Sequence, residues 1–306
     1  MSRSQAETSE FIPGFQRKLE WPRAESALAQ VDVAGLSHVG NVRTRNEDHF
    51  FIGRFGRFFE KIQTNVPPDE LEDRFSEAGY AMVVADGLGG HAAGDMASKL
   101  AINVLLSLVL GTSDWILRFD SQSDFERVIE RTRQRFVETS RVMTAESQAN
   151  PELRGFGTTL TMAASVGQDL FVAHVGDTRA YVFRGGKLQQ LTTDHTYAQE
   201  LFEAGVLDDQ SAGAAWLKSR VTRLLGDSSK SCDPDIQTLR LEHGDTLLIC
   251  SDGLCDMVDD ASIAGVMAEG QPAESACARL IDLALAAGGR DNATLIVARY
   301  GFPTET

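Results

Sequence analysis

The spacing of apolar residues predicts both strands and helices in this 306-residue chain. Nearly continuous apolar runs at 80–85 and 246–251 are typical of strands that are buried on both faces. Apolar residues at helical spacing begin near Asp95 and recur over 124–143 and 273–287. The two patterns together predict an α+β fold.

Tight turns between short apolar segments indicate how the strands pair. Gly167-Gln168 and Gly185-Gly186 each separate two segments with strand character. The segments predicted to pair are 159–166 with 169–175, and 178–184 with 187–191. Because two-residue connections join antiparallel neighbours, we predict mainly antiparallel sheets.

Polar, irregular stretches surround and interrupt one predicted domain at 31–301. Residues 1–30 mix charges with prolines and predict a poorly ordered N-terminal arm, and 302–306 form a short tail. The charged stretch 54–79 is interpreted as an insertion between two strands. The irregular stretch 195–235 is interpreted as a flap over the functional site.

Asp86 lies where a buried strand meets a glycine-rich turn. Gly87, Gly89 and Gly90 follow it, and glycines allow a ligand to approach the backbone closely. Carboxylate and carbonyl oxygens in such a place suit hard divalent cations. The alternative is an ordinary turn in which Asp86 only caps the helix that follows. This stretch alone leaves both interpretations open.

Three further aspartates occupy comparable positions. Asp177 and Asp252 each follow an apolar strand at a glycine-containing turn, and Asp291 precedes the last strand. A sandwich of two sheets would bring these turns to one rim, where carboxylates repel one another unless cations lie between them. The six histidines show no HxH or HExxH spacing, so the oxygen-rich set favours Mg²⁺ or Mn²⁺ over Zn²⁺. Two such ions about 3.5–4 Å apart would activate a water for attack on phosphorus.

The segment GNVRTRNEDHF concentrates charge just before an apolar stretch. Arg43, Arg45, Glu47 and Asp48 lie close together in it. They can be interpreted as ordinary surface ion pairs. The alternative is an arginine that grips phosphate beside carboxylates that order a metal ion. These residues alone do not decide between the two.

Charge and cysteine content narrow the classes of partner and compartment. The chain has 29 basic and 44 acidic side chains, and the resulting net charge of −15 argues against nucleic acid and anionic membranes as partners. A phosphate ester would be repelled by this field, so a phosphate site would need cations. The four cysteines form no CxxC pair, and the longest apolar run is too short to cross a bilayer. We therefore expect a cytoplasmic protein without membrane insertion.

Two other phosphatase chemistries are not supported by the sequence. None of the cysteines begins the Cys-x5-Arg loop of the cysteine phosphatases. Asp233-Pro234-Asp235 approaches the DxDx(T/V) pattern of aspartyl-phosphate enzymes, but Gln237 stands at the Thr/Val position and no apolar strand precedes it.

Eight motifs occur in one order between residues 31 and 301. They are GNVRTRNED, VVADGLGGHAAGDMAS, GFGTTL, AHVGDTRAY, LTTDH, SRVTRLLG, LLICSDGL and RDNATLIV. In this order they resemble the metal-dependent protein phosphatases (PPM, type 2C) in their compact bacterial form. The resemblance implies a four-layer α-β-β-α sandwich of two mainly antiparallel sheets flanked by helices, with a binuclear metal site at one end of the sheets.

The resemblance also implies roles for the candidate metal ligands. Asp86 would bridge two Mn²⁺ or Mg²⁺ ions, and the carbonyl group of Gly87 would bind the second. Asp252 and Asp291 would complete the first ion. Asp86, Asp252 and Asp291 are therefore the implied catalytic residues.

Other residues would act around these two ions. The resemblance implies that Asp48 acts near the second ion, in part through water, and that Asp177 joins Asp252 at a third, weaker ion. Arg43 would hold the substrate phosphate. Further candidates in the surroundings of the ions are Glu47, His91, Asp95 and Asn292.

One position departs from the family pattern. Animal members carry a histidine, a candidate general acid, where this chain has Leu88. Because leucine cannot transfer a proton, a water would have to protonate the leaving alkoxide. His91 is interpreted as a capping or packing residue sooner than a catalytic one, and Asp95 as a helix cap.

These expectations favour a metal-dependent phosphatase that acts on phosphoserine and phosphothreonine in proteins. Its expected partners are phosphorylated proteins, including a bacterial Ser/Thr kinase that it opposes, and the chain is expected to be a monomer. One alternative is a catalytically dead member that only binds phosphoproteins, which the complete carboxylate set disfavours. Another is a regulatory phosphatase of the sporulation or stress type, a branch that usually lacks the arginine at position 43.

Overall fold

The computed structural model describes residues 29–67, 74–89, 92–112, 122–153, 155–207, 217 and 219–303. Nearly all of the arm predicted at 1–30 and most of the tail predicted at 302–306 lie outside these residues.

The described part of the chain forms strands and helices in the proportions of an α+β protein. The strands are β1 Gln30–His38, β2 Asp48–Glu60, β3 Arg74–Leu88, β4 Gly157–Thr158, β5 Leu160–Val166, β6 Asp169–Val175, β7 Arg179–Arg184, β8 Lys187–Gln190, β9 Asp235–Arg240, β10 Thr246–Cys250 and β11 Ala293–Gly301. The helices are α1 Ala92–Leu110, α2 Gln122–Ala149, α3 Tyr197–Glu203, α4 Asp252–Cys255, α5 Asp260–Ala268 and α6 Ala273–Ala286.

The strands form two sheets. One has the order β1-β11-β10-β7-β8, and the other has the order β2-β3-β5-β6-β9 with the short β4 beside β3. All of these pairings are antiparallel, which confirms the prediction made from the tight turns.

Alternate residues of the central strands serve different layers of the core. On β3, Met82 and Val84 belong to the apolar cluster between the sheets, whereas Val83 packs with the residues of α1 and α2. On β10, Ile249 points between the sheets and Leu248 packs with α5 and α6. Strands covered on both sides need apolar residues at every position, which explains the continuous apolar runs. The result is the predicted four-layer α-β-β-α sandwich.

The sequence suggested that 54–79 is an insertion between two strands, but both ends of this stretch belong to the strands themselves. β2 continues to Glu60 and β3 begins at Arg74, and the two strands pair in register from Asp48↔Asp86 to Glu60↔Arg74. Ion pairs across the strands join Arg57 to Glu77 and Arg74 to Glu60. The charges that looked like a loop are therefore paired across a long hairpin.

Helix α1 is long and apolar enough, by length and composition, to cross a membrane. The sequence analysis had judged its apolar run too short. In this fold one side of the helix carries Ala97, Ala101 and Leu105, which are buried against the sheet that contains β3. The apolar character of α1 is thus explained by core packing.

Candidate active site

Two acidic residues of one sheet are direct neighbours at the end of the β2–β3 hairpin. Asp48 begins β2, Asp86 lies near the end of β3, and the antiparallel register places them opposite each other. β2 begins here, after the turns of the 40–47 segment, and β3 ends at Leu88, two residues after Asp86. Two like charges in this position destabilise the pair unless something compensates them.

The second sheet brings two more aspartates to the same end of the sandwich. Asp252 follows β10 and opens α4, and Asp291 precedes β11. The hydroxyl group of Ser251 donates a hydrogen bond to Asp48 Oδ2 at 2.7 Å, so the two sheets meet at these residues. Asp252 lies within hydrogen-bonding distance of Asp86.

Asp177 completes the group from the turn between β6 and β7, where the chain passes from one sheet to the other. Electrostatic repulsion links its carboxyl group to those of Asp86 and Asp252. The structure thus brings together Asp48, Asp86, Asp177, Asp252 and Asp291, the five aspartates predicted as metal ligands.

Burial and mutual repulsion disfavour the charged form of these carboxyl groups. Loss of hydration is the main cause that raises the pKa of Asp48 and of Asp252 to about 7, and neighbouring aspartates add to it. The same causes raise the pKa of Asp86 and Asp177 well above the ordinary value. A group of buried carboxylates with raised pKa values is a typical feature of a functional site.

Two oxygen atoms of this group suit a cation. Asp48 Oδ1 and Asp252 Oδ1 are buried and accept no hydrogen bond from the described residues. Among the described residues, no three or more His, Cys, Asp or Glu side chains lie close enough together, as they stand, to hold a metal ion. The fit of a hard divalent cation therefore rests on the two unpaired oxygens, the repulsion among the carboxylates and the oxygen chemistry of the donor set.

Arg43 lies at the edge of the acidic group. Its guanidinium group donates a hydrogen bond to Asp291 Oδ2 at 2.6 Å, and its side chain remains 53% exposed. The hydrogen bond to Asp291 is the main cause that raises the pKa of Arg43, and the charges of Glu47 and Asp86 contribute. This arginine is therefore paired with a carboxylate of the acidic group and is half exposed to solvent.

The backbone of Gly87 is enclosed by its neighbours. A Cβ atom at this position would lie 2.0 Å from the Gly94 carbonyl oxygen of α1 and 2.8 Å from that of Glu47. The Gly87 N–H group donates to the Glu47 carbonyl oxygen. The Glu47 side chain lies against Gly94, since a Cβ atom on Gly94 would be 2.4 Å from Glu47 Oε2. These contacts require glycine at both positions and place Glu47 beside the turn.

Asn292 holds the segment that carries Arg43. Its side-chain oxygen accepts a hydrogen bond from the backbone of Glu47 at 2.8 Å. Its amide group donates to the carbonyl oxygens of Val39 and Arg45. This candidate is therefore a support for the 39–47 segment.

The architecture and these motifs are those of a known family. Residues 67–283 match the family model described as protein phosphatase 2C. The chain belongs to the protein phosphatase 2C family. The match spans more than half of the chain and confirms the resemblance inferred from the motif order.

Two bacterial relatives illustrate the similarity. The chain is 34% identical over 227 residues to the serine/threonine protein phosphatase PstP of Mycobacterium tuberculosis, which is 74% of this chain but only 41% of the length of PstP. It is 30% identical over 267 residues to the protein phosphatase PhpP of Streptococcus pneumoniae, which is 87% of this chain and 96% of PhpP. The enzyme class predicted from the sequence, protein-serine/threonine phosphatase, is the one that the name of PstP gives, and PhpP is named a protein phosphatase.

Solved structures show the same fold in this family. The serine/threonine phosphatase of S. agalactiae is 28% identical, with a TM-score of 0.70 over 88% of this chain and 99% of that chain. The catalytic domain of PstP, solved in complex with two manganese ions, is 29% identical, with a TM-score of 0.68 over 89% of this chain and 99% of that chain. That domain carries the two ions which the sequence analysis expected of the family.

Three predicted positions lie at the edge of this phosphatase site or outside the described residues. Asp95 is the fourth residue of α1, inside its first turn, where it pairs with Lys99 at 2.8 Å. It therefore belongs to the helix surface and is not the cap. Leu88 ends β3 opposite Gly157. His91 lies outside the described residues.

The hydroxyl groups that support the aspartates in this protein phosphatase 2C domain were not identified from the sequence. Ser251 binds Asp48, and Thr158 donates to the Asp86 carbonyl oxygen at 2.7 Å. Thr159 donates its backbone N–H to the same oxygen. Both segments stood among the motifs, in LLICSDGL and GFGTTL, but serine and threonine are too common for their positions to indicate which carboxylate they would bind.

Proposed function

We propose that this chain is a metal-dependent phosphatase that hydrolyses phosphoserine and phosphothreonine in proteins. The observation that carries the proposal is the convergence of five aspartates from both sheets at one end of the sandwich, with unpaired buried oxygens and raised pKa values. Membership of the protein phosphatase 2C family and the manganese-bound PstP domain support it.

Asp86, Asp252 and Asp291 would hold one ion, and Asp86 with the Gly87 carbonyl group would hold a second. Asp48 would act near the second ion, and Asp177 would hold a third ion with Asp252. When bound, Mn²⁺ or Mg²⁺ supplies the positive charge that lowers the pKa of water and withdraws electrons from a phosphoryl group. The carboxylates offset this charge and fix its position at the end of the sandwich.

Arg43 would bind the substrate phosphate. It is exposed on the solvent side of the acidic group and can exchange the carboxylate of Asp291 for a phosphate oxygen. A guanidinium group presents two parallel N–H donors to such an oxyanion, which orients the ester. Leu88 can exclude water but cannot protonate the leaving oxygen.

The proposed substrates are phosphorylated proteins, including a Ser/Thr kinase that this phosphatase opposes. We further propose that the chain acts in the cytoplasm as a monomer. The similarity to PstP and PhpP, which are named as protein phosphatases, supports phosphorylated proteins as the substrates.

The decisive experiment is hydrolysis of a phosphothreonine peptide by the purified protein after EDTA treatment and after addition of Mn²⁺ or Mg²⁺. We expect activity only with metal, and we expect Asp86→Asn and Asp252→Asn to lose at least about a thousandfold in kcat, as is usual when charge stabilisation at the reacting centre is removed. Asp282→Asn, an exposed aspartate on α6, is the matched control and should be fully active.

Full activity of Asp86→Asn, or wild-type activity that survives EDTA, would contradict the proposal. Binding of the phosphopeptide without hydrolysis under any metal would support the alternative of a catalytically dead member.

A further inference from the structure

His195 binds the backbone of the turn that carries Asp177. Its backbone N–H group donates to the Gly176 carbonyl oxygen at 2.7 Å, and the Gly176 N–H group donates to His195 Nδ1 at 3.1 Å. Both polar groups of the Gly176 backbone are therefore bound by one residue. The imidazole ring is almost fully buried, with 6% of the side chain exposed, and stacks on His174 at 4.8 Å between ring centroids.

The Gly176 backbone cannot easily adopt another position. Its φ angle of 109° favours glycine, and a Cβ atom would lie 2.3 Å from Thr159 Cβ. Thr159 is the residue whose backbone N–H donates to the Asp86 carbonyl oxygen. The turn before Asp177 thus lies between His195 on one side and Thr159, which binds the Asp86 backbone, on the other.

The same histidine is the first residue of the segment predicted as a flap, and it binds the last residue of that segment, Asp235, and one residue inside it, Thr222. Because Nδ1 accepts a hydrogen bond, the proton of the neutral ring is on Nε2, which donates to Asp235 Oδ2 at 3.0 Å. Asp235 begins β9 and also accepts a hydrogen bond from Arg223 at 2.9 Å. The His195 carbonyl oxygen accepts a hydrogen bond from the Thr222 N–H group at 2.7 Å.

We propose that His195 is a positioning residue with two separate functions, one toward Asp177 and one toward the 195–235 segment. Its Nδ1 side fixes the Gly176 backbone, and hence the carboxylate of Asp177, in the place where a cation binds. Its Nε2 side holds Asp235 at the start of β9, and with it Arg223, beside the same end of the sandwich. The consequence for cation binding rests on the proposed function, because it assigns Asp177 to a metal site.

Two near-isosteric substitutions separate these functions. In His195→Asn the amide oxygen stands near the position of Nδ1, so the bond from Gly176 is kept and the bond to Asp235 is lost. In His195→Gln the amide nitrogen stands near the position of Nε2, so the bond to Asp235 is kept and the bond from Gly176 is lost. His243→Asn is the matched control, since His243 binds the backbone of Phe302 far along the chain from these residues.

The first measurement is Mn²⁺ binding by titration calorimetry without substrate. We expect His195→Gln to weaken the weakest class of Mn²⁺ site about tenfold, as when a residue that orients a metal ligand is removed. We expect His195→Asn and the control to bind Mn²⁺ like the wild type. Equal Mn²⁺ affinity in all four proteins would overturn the link between His195 and Asp177.

The second measurement is limited digestion with trypsin, with cleavage after Arg220 or Lys230 identified by mass spectrometry. We expect His195→Asn to be cleaved at least about tenfold faster than the wild type, and His195→Gln to be cleaved at nearly the wild-type rate. Asp235→Ala removes the acceptor of the same bond from its partly exposed end, where misfolding is a smaller risk, and should behave like His195→Asn. Unchanged cleavage of His195→Asn and Asp235→Ala would overturn the link between His195 and Asp235.

Neither measurement requires turnover. A wild type that binds Mn²⁺ but hydrolyses no phosphopeptide would refute the proposed function and leave the positioning role of His195 intact. An active wild type whose two His195 variants share the same loss in both assays would refute the division of roles and leave the proposed function intact.

Discussion

The role of Arg43 depends on the residue with which its side chain pairs. The sequence offered two interpretations, a surface ion pair or a phosphate grip, and the structure shows an arginine that pairs with Asp291, one of the candidate metal ligands. An ion pair that is half exposed contributes little to stability. Stabilisation by the ion pair is therefore a weak reason for an arginine at this position, and we propose that it binds the substrate phosphate.

Substitution of Arg43 tests this role. We expect Arg43→Ala to raise KM for a phosphothreonine peptide roughly tenfold, because it removes a hydrogen bond between charged groups, and to change kcat much less. Arg43→Lys should recover part of the loss, since it keeps the charge but not the planar pair of donors. The measurement is steady-state kinetics at saturating Mn²⁺.

The matched control for Arg43 is Arg279→Ala, an exposed arginine on α6 that should leave KM unchanged. A KM of Arg43→Ala equal to that of the wild type would remove this arginine from the substrate site.

Helix α1 and the β2–β3 hairpin form one unit at the site. The Ser98 hydroxyl group donates to the Glu47 carbonyl oxygen at 2.6 Å, and Gly87 and Gly94 let the helix approach the turn after Asp86. The sequence correctly indicated a strand, a turn and a helix here. It could not indicate the close approach of the helix, because glycines at such a spacing also occur in exposed turns.

The approach of α1 predicts opposite results for two glycine substitutions in helices. Gly94→Ala should destabilise the protein by about 1–3 kcal/mol through overcrowding and should lower activity, because its Cβ atom would lie 2.8 Å from the Gly87 backbone carbonyl oxygen and would also displace the Glu47 side chain. Gly265→Ala in α5 meets no atom within 4 Å and should stabilise by about 0.5–1 kcal/mol with full activity. Denaturant unfolding and phosphopeptide hydrolysis check both. A stable, active Gly94→Ala variant would contradict the close packing.

Elements with weak patterns were the ones that the sequence analysis did not identify. β9 Asp235–Arg240 has a mixed, half-exposed pattern and lies at the edge of its sheet, where only pairing with β6 makes it a strand. α5 Asp260–Ala268 is short and contains Gly265. In both cases tertiary contacts outweigh a weak local preference.

The acidic site affects the stability of the whole molecule. In the metal-free protein the pKa values of Asp48 and Asp252 are raised from 3.8 to about 7, and burial and neighbouring aspartates also raise those of Asp86 and Asp177 well above the ordinary value. Between the unfolded and folded pKa values the folded state binds more protons than the unfolded state. Stability must therefore fall as pH rises through this range.

The expected result is a lower Tm for EDTA-treated protein at pH 8.5 than at pH 6.5. This window lies at or above the ordinary pKa of histidine, so the buried His174, whose pKa burial lowers to about 3, adds little to the change. Added Mn²⁺ should raise Tm more at pH 8.5, because at the lower pH it must displace protons. Differential scanning fluorimetry checks both points.

Asp86→Asn is the control for the pH dependence of Tm, since it removes one of the four titrating groups and should flatten the slope. A Tm of the metal-free wild type that rises between pH 6.5 and 8.5 would show that these carboxylates are not held protonated by burial.

By itself the sequence determined the α+β class and the antiparallel pairing and suggested the candidate aspartates, because periodicity, tight turns and glycines beside acids are local signals. Only the tertiary structure showed that 54–60 pairs with 74–80, that Ser251 binds Asp48 across two sheets, and that His195 binds both Gly176 and Asp235. These facts depend on contacts between residues far apart in the chain. The spacing along a sequence carries no information about which of many similar serines or histidines will meet a given carboxylate when the sheets pack.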